Sequence, residues 1–124
     1  MNINAIKGTK VKENMPIGTH DVAFEKIEYR ADAYGNVKNA FVHVEGYRSL
    51  YLPIFDGDNF QLDFLCKQLG AESWDDEEIN QHKGTVITVH RFERENPLNP
   101  DNPFINTSFN ADYNADNDEV AQLA

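Results

Sequence analysis

Aromatic and imidazole side chains recur at alternate positions of the stretch VKNAFVHVEGYRSLYLPIF, which covers residues 37–55. The stretch has the two-residue period of β-strands, interrupted by a Glu-Gly pair typical of a turn. One face of this predicted hairpin is aliphatic, and the other carries Phe41, His43, Tyr47 and Tyr51. Rings on a sheet can stack on flat groups, and for an unpaired nucleic-acid base such stacking is worth about 1–3 kcal/mol. Because stacking uses no hydrogen-bond code, this surface would accept any base sequence.

Basic residues stand near the predicted turns on either side of this hairpin. The candidates for contacts with phosphates are Arg30, Tyr34, Lys38, Lys26, Arg91 and Arg94. The first three flank the predicted turn ADAYGN at residues 31–36, and the last two lead into a loop rich in Asn-Pro steps. Arg48 begins the third predicted strand in its aliphatic phase, which argues against including it.

The sequence offers little to catalysis or to metal binding. Its four histidines are scattered, and none has a ligand spacing with Cys66 or with another histidine. Asp56, Asp58 and Asp63 surround the start of a helical pattern, where carboxylates usually serve as caps and turn residues. The motifs G-x-x-x-x-G-K-[ST], G-x-S-x-G and H-E-x-x-H do not occur. We therefore predict a protein that is not an enzyme and that uses no cofactor and no metal.

The 124 residues suffice for one domain with a single core. The net charge of −10 is unevenly distributed, because residues 1–55 hold seven basic and six acidic side chains and the remainder holds four and fifteen. The acidic total therefore does not exclude a polyanion from the near-neutral half. The sequence contains no apolar run that predicts a membrane span and no secretory pattern, so we expect a cytoplasmic protein without a membrane partner.

The hydrophobic pattern predicts five strands. The first covers residues 19–30 and changes its inward phase near Glu25 and Lys26, which predicts a β-bulge. The hairpin supplies the second and third. The stretch TVITVHRFERE (85–95) forms the fourth, with Val86 or Ile87 and then Val89 inward, and FINTSFN (104–110) forms the fifth.

A helix is predicted between the third and fourth strands, with Asp56 or Asp58 as its cap and Gly70 at its end. Its apolar stripe is Phe60, Phe64, Leu65 and Leu69. A short second helix follows, with Ser73 as its cap. Residues 1–15 are expected to be a flexible or loosely paired arm and residues 111–124 a disordered acidic tail, which leaves a folded domain within residues 1–110.

This element order predicts an all-β fold with one or two helices: a five-stranded OB-fold-like barrel with the helix between strands 3 and 4. The competing fold is an α+β sandwich in which the helix covers one face of an open sheet. In an OB barrel, oligonucleotides or oligosaccharides bind to strands two and three and to the loops that join strands one to two and four to five. The aromatic face belongs to those two strands.

Several stretches resemble a known family. The stretch PIGTHDVAFEKIEYRADAYGN followed by KNAFVHV, the Asp-Gly-Asp helix start and the acidic end are similar to the small single-stranded DNA-binding proteins of bacteriophages, in particular lactococcal siphophages. The resemblance implies sequence-independent binding of single-stranded DNA in phage replication or recombination, in the cytoplasm of the infected host and beside a recombinase or annealing protein. The acidic end lacks the Asp-Ile-Pro-Phe-like terminus that recruits partners in bacterial proteins of this class, whereas electrostatic competition with DNA needs only its charge.

Other interpretations remain open. The arm or a second copy of the chain could cover the aromatic face, since exposed rings mark any interface. In that case the protein would be an acidic interaction module that forms a homodimer or inhibits a host protein through the same sheet. An OB barrel for oligosaccharide would need the rings but not the arginines.

Overall fold

The computed structural model describes residues 12–113. This part of the chain contains the strands β1 (Gly18–Ala31), β2 (Val37–Val44), β3 (Leu50–Pro53), β4 (Val86–Arg94) and β5 (Phe104–Ser108). The helices α1 (Phe60–Leu69) and α2 (Asp76–Asn80) both lie between β3 and β4. The predicted order of elements is therefore confirmed, and with it a mostly β fold. No helix within residues 12–113 has the length and apolar character needed to cross a membrane.

All five strands form one antiparallel sheet in the order β3-β2-β1-β4-β5. The central strand β1 is shared, because its first part pairs with β4 and its second part pairs with β2. The strands β3 and β5 stand at the two ends of this order. The sheet is therefore barrel-like in its connections but is not closed between β3 and β5.

A β-bulge lets β1 serve two partners. Its register against β2 shifts between Phe24 and Lys26. Val22 and Phe24 are buried before the shift, and Ile27 is buried after it. The predicted change of phase is thus confirmed, and because a bulge increases the local twist it bends this long strand between its two neighbours.

The core lies on one face of the sheet. The inward residues of β2 and β3 are Ala40, Val42, Val44, Leu50 and Leu52, all nearly inaccessible to solvent. Ile87 and Val89 join them from β4, whereas Val86 is exposed. The structure thereby decides between the two inward phases that the sequence left open for β4. The opposite faces of β2 and β3 are left for polar and aromatic side chains.

The helix α1 covers this core with a face that differs from the predicted one. Its buried residues are Leu62, Leu65, Cys66 and Leu69. Phe60 is 44% exposed, and Phe64 is only half-buried against the core. The helix ends at Gly70 in the left-handed conformation, as predicted.

The predicted caps of both helices are wrong, by one to three residues. Asn59, rather than Asp56 or Asp58, precedes α1, and its side chain makes no capping bond. The buried amide of Asn59 instead accepts from the Phe55 N–H at 2.8 Å and donates to the Phe55 carbonyl at 3.0 Å, which closes the preceding loop. The cap of α2 is Asp75, whose carboxylate accepts from the Glu77 N–H.

Gln68 joins α1 to the sheet where β5 leaves β4. Its Oε1 accepts from the Thr88 N–H at 2.7 Å, and its Nε2 donates to the carbonyls of Thr88 at 2.8 Å and Phe109 at 2.7 Å. The Phe109 N–H donates in turn to Gln61 Oε1 at 2.6 Å. Two helix side chains therefore satisfy backbone groups of β4 and of the residue that follows β5.

Both ends of the described range pack on the sheet. Met15 is part of the core, and the Arg48 N–H donates to the Glu13 carbonyl at 3.0 Å, so these two residues are held in the segment where the sequence predicts a flexible or loosely paired arm. At the other end, the ring of Tyr113 stacks on Phe92 with centroids 4.8 Å apart. The remainder of the predicted arm and tail, residues 1–11 and 114–124, lies outside the described residues.

Candidate nucleic-acid interface

Phe41 and Tyr51 form the centre of the predicted aromatic face. They are direct partners in the ladder between β2 and β3. Because Ala40 and Leu52 point into the core, alternation places these two rings on the opposite side of the sheet. Their centroids lie 5.9 Å apart in an edge-to-face arrangement. Phe41 is half-buried, whereas Tyr51 is 54% exposed and presents its ring to solvent.

A group of charged side chains borders Phe41. The guanidinium carbon of Arg30 lies 5.3 Å from the centre of the Phe41 ring. Glu28, the register partner of Phe41, contacts Lys26 at 2.9 Å, His43 at 3.0 Å and Arg30 at 3.8 Å. The Lys26 ammonium, with smaller contributions from His43 and Arg30, holds the pKa of the Glu28 carboxyl below its usual value. We refer to Lys26, Glu28, Arg30 and His43 as the Glu28 cluster.

A groove of about 280 Å³ lies between β3 and β5, where the sheet is not closed. Tyr51 lines this β3–β5 groove from one side, and Arg91 and Arg94 line it from β4. The other lining residues are Leu52, Pro53, Gln61, Ile105, Asn106 and Thr107. The fold therefore brings one predicted ring and two predicted basic residues to the same groove, although they are distant in the sequence.

The two arginines of the groove are held differently. Arg91 donates from Nη1 to Thr107 Oγ1 at 2.6 Å and from Nε to the Met15 carbonyl at 3.3 Å. Partial burial lowers the pKa of Arg91, yet a guanidinium remains charged in proteins. Arg94 is exposed. Within residues 12–113 no carboxylate pairs with either arginine, so both positive charges are available to an anion in the groove.

Tyr47 lies apart from the ring pair. The sequence predicts it in the third strand and in phase with Tyr51, but β3 begins only at Leu50. Tyr47 forms an isolated bridge with Glu13 and packs half-buried against the core. Its ring meets His20 edge to face, with centroids 5.6 Å apart. The two residues that precede β3 follow no strand alternation, so counting by twos from Tyr51 fails at this point.

Arg48 is also engaged with the beginning of the described chain. Its Nε donates to the Lys12 carbonyl at 2.9 Å. This bond and the backbone bond to Glu13 hold residues 12–13 beside the loop before β3. The structure therefore gives Arg48 a position outside the ring pair.

Tyr34 and Lys38 stand at the turn between β1 and β2. Asp32 organises this turn by accepting from the N–H groups of Tyr34 at 2.8 Å and Asn36 at 3.0 Å, and the Asn36 bond is the main cause of its lowered pKa. Tyr34 is 90% exposed. Lys38 is exposed but shares the phase of Ala40, so it lies at the end of the sheet and not on the face of the ring pair.

Glu28 is the main interface residue that the sequence prediction omits. It has the same phase as Lys26 and Arg30 in the stretch KIEYR, so strand alternation was a sufficient signal to place it among them. Gln61 and Thr107 are different, because they reach the β3–β5 groove only through the packing of α1 and β5. No sequence spacing indicates that approach.

Two observations concern metal binding and the cysteine in the described part of the chain. Within residues 12–113 no group of three or more His, Cys, Asp or Glu side chains could hold a metal ion. Burial raises the pKa of the Cys66 thiol to about 11, so at neutral pH it is protonated and a poor nucleophile. No protein-family model and no curated protein matches the chain. The geometry of this site is therefore what indicates a function.

Proposed function

We propose that this protein binds single-stranded DNA without sequence specificity and without catalysing a reaction. The observation that carries the proposal is the position of Tyr51, which belongs both to the ring pair with Phe41 and to the β3–β5 groove with Arg91 and Arg94. A single strand needs a flat surface for its bases and cations for its phosphates. A duplex keeps its bases stacked internally and gains little from an exposed ring.

The negative net charge of the chain is compatible with this proposal. The lining of the β3–β5 groove contains no acidic side chain. Asp76, Glu77 and Glu78 instead lie in α2. Because salt screens exposed charges increasingly with distance, the charges that line the groove matter most to a bound phosphate.

The resemblance to phage single-stranded DNA-binding proteins supports a more specific setting. In that setting the protein protects or presents single strands during phage DNA replication or recombination in the cytoplasm of an infected bacterium. A recombinase or annealing protein would then act on the same DNA. These roles follow from the resemblance and extend the proposal beyond the geometry of the interface.

A protein-interaction module is the second candidate function. It is favoured by exposed apolar side chains. Ile105, which lines the β3–β5 groove, is 43% exposed, and Phe55 and Phe60, which follow β3 in the sequence, are 55% and 44% exposed. Such a surface could dimerise or bind a host protein. The two functions differ in their response to salt: phosphate binding weakens steeply as salt rises, whereas an apolar contact hardly changes.

The deciding experiment is a fluorescence anisotropy titration of a labelled oligo-dT strand with the full chain, at low and moderate salt. A duplex of the same length and label is the matched control. We expect saturable binding to oligo-dT that weakens as salt rises, and much weaker binding to the duplex. Equal binding to both, or no binding to oligo-dT at low salt, would overturn the proposed function. Sedimentation of the free protein tests the homodimer separately.

A further inference from the structure

Glu28 is an acidic residue among aromatic and basic side chains, with Phe41 opposite it and Lys26, Arg30 and His43 around its carboxylate. Its carboxylate lies 2.9 Å from Lys26 Nζ and 3.0 Å from His43 Nε2, and its second oxygen lies 3.8 Å from Arg30. Within residues 12–113, Lys26, Arg30 and His43 pair with no other carboxylate. One anion therefore holds three groups that would otherwise face an incoming phosphate.

The position of Glu28 follows from the register of the sheet. It stands directly opposite Phe41, and Lys26 stands opposite His43. Strand alternation places Lys26, Glu28 and Arg30 on one face of β1, so the carboxylate lies between two cations of its own strand. The ring of Phe41, with Arg30 stacked over it, closes the same patch.

We propose that the Glu28 carboxylate occupies the place of a backbone phosphate, and that single-stranded DNA displaces it from Lys26, Arg30 and His43. The inference rests on the proposed function. A carboxylate and a phosphate oxygen accept the same charge-assisted hydrogen bonds from these donors. The pairs are exposed, with 37% of the Glu28 side chain accessible, and exposed ion pairs contribute little, so the exchange is energetically easy.

Two consequences follow for the binding of DNA. In the free protein, Glu28 keeps the three donors ordered around one anion position, so less ordering remains when a phosphate arrives. The same carboxylate also competes with the phosphate for these donors and repels it by like charge. Because the three pairs are exposed and order their side chains only weakly, this competition is the larger effect and Glu28 lowers the affinity. Glu28 is thus a residue that sets the affinity for a polyanion without contacting a base.

The test compares Glu28→Gln with Glu45→Gln in the full chain. Both variants remove one negative charge. Glu45 directly follows β2, is exposed and has no ion pair among the described residues. The amide at position 28 keeps the size of the side chain and leaves the cations unpaired. Thermal unfolding of each variant checks that the fold is retained.

We expect Glu28→Gln to bind labelled oligo-dT at least about threefold more tightly than Glu45→Gln, since it frees three donors and not only one unit of net charge. Suppose that the wild type binds oligo-dT and that Glu28→Gln has the same affinity as Glu45→Gln, or a lower one. The displacement of Glu28 by phosphate is then wrong, and the proposed function stands. If the wild type does not bind, both fail.

Discussion

The ring of Phe41 meets the ring of Tyr51 edge to face across β2 and β3, with centroids 5.9 Å and planes 67° apart. The two rings do not have equal roles in this pair. Phe41 is half-buried and lies beneath the Arg30 guanidinium. Tyr51 is more exposed and also lines the β3–β5 groove. Phe41 therefore supports the orientation of Tyr51, and Tyr51 offers the surface on which a base can stack.

Replacing Tyr51 should test stacking directly. We expect Tyr51→Ala to weaken binding of oligo-dT by about 1–3 kcal/mol, the value of one base stacked on one ring. Tyr51→Phe keeps the ring and removes only the hydroxyl, so it should bind nearly as the wild type does. Anisotropy titrations of the three proteins at one salt concentration measure the difference.

The preference for base sequence provides the control for this prediction. Because stacking does not read hydrogen bonds, Tyr51→Ala should weaken binding to oligo-dT and to a mixed sequence by similar factors. A folded Tyr51→Ala protein with unchanged affinity for both strands would exclude Tyr51 as a stacking residue. The ring pair would then favour the interaction module.

Arg94 and Arg91 should differ in what they contribute. Arg94 is exposed and has no carboxylate partner among residues 12–113. Arg94→Ala should therefore reduce the slope of log affinity against log salt by about 0.7, which corresponds to one phosphate contact. The free energy of unfolding should not change. Arg91→Ala should also lower the free energy of unfolding, because Arg91 donates to Thr107 and to the Met15 carbonyl.

Measurements of affinity at several salt concentrations, paired with denaturant unfolding, separate these two effects. An unchanged salt slope in a folded Arg94→Ala protein would remove Arg94 from the phosphate contacts. An oligosaccharide ligand would predict that result for both arginines, since a neutral ligand has no phosphate to bind.

The strands and their phases were predictable because their signal is local. In β1 the buried residues Val22 and Phe24 precede the bulge and Ile27 follows it, and this change is visible as a break in alternation. In the same way, Phe41 and Tyr51 are predicted to share a face from their spacing to neighbouring aliphatic residues. These inferences need only the two-residue period and one turn.

The predictions that failed concern features that are determined by contacts between distant parts of the chain. The α1 sequence has two overlapping apolar stripes, and packing against the sheet buries Leu62 and leaves Phe60 exposed. Tyr47 forms a β-bridge with Glu13, which precedes β1, and does not belong to the strand β3 that comes after it. The β3–β5 groove depends on how two ends of one sheet approach each other, and no local pattern predicts that approach.

Gln68 should contribute strongly to stability for a side chain outside the apolar core. Its amide satisfies the N–H and carbonyl of Thr88 and the carbonyl of Phe109. Gln68→Ala would leave these backbone groups without their partner, and a buried unsatisfied polar group costs about 1–3 kcal/mol. Urea unfolding should show this loss, whereas Lys67→Ala, at the exposed neighbouring position of α1, should unfold near the wild-type midpoint. Equal midpoints for both variants would contradict the role of Gln68.

Tyr29 should make the protein sensitive to alkaline pH. Its hydroxyl donates to the Trp74 carbonyl at 2.5 Å. Burial, followed by nearby negative charge at Cys66, Asp76 and Asp75, raises the pKa of Tyr29 from 10.0 to about 12. Between these values the unfolded chain loses the phenolic proton while the folded chain keeps it. Stability from this group is therefore complete below about pH 10 and is lost as the pH rises toward 12.

The prediction is checked by the change in urea midpoint between pH 8 and pH 11. Tyr29→Phe has no phenol at this position, so its midpoint should fall less over this interval than that of the wild type, although it starts lower because the bond to Trp74 is lost. Tyr34→Phe is the matched control, because Tyr34 is 90% exposed. Its midpoint should fall by as much as that of the wild type. If the midpoints of Tyr29→Phe and the wild type fall in parallel, the alkaline sensitivity arises from another group. The bond from the Tyr29 hydroxyl to the Trp74 carbonyl would then contribute nothing to the pH dependence.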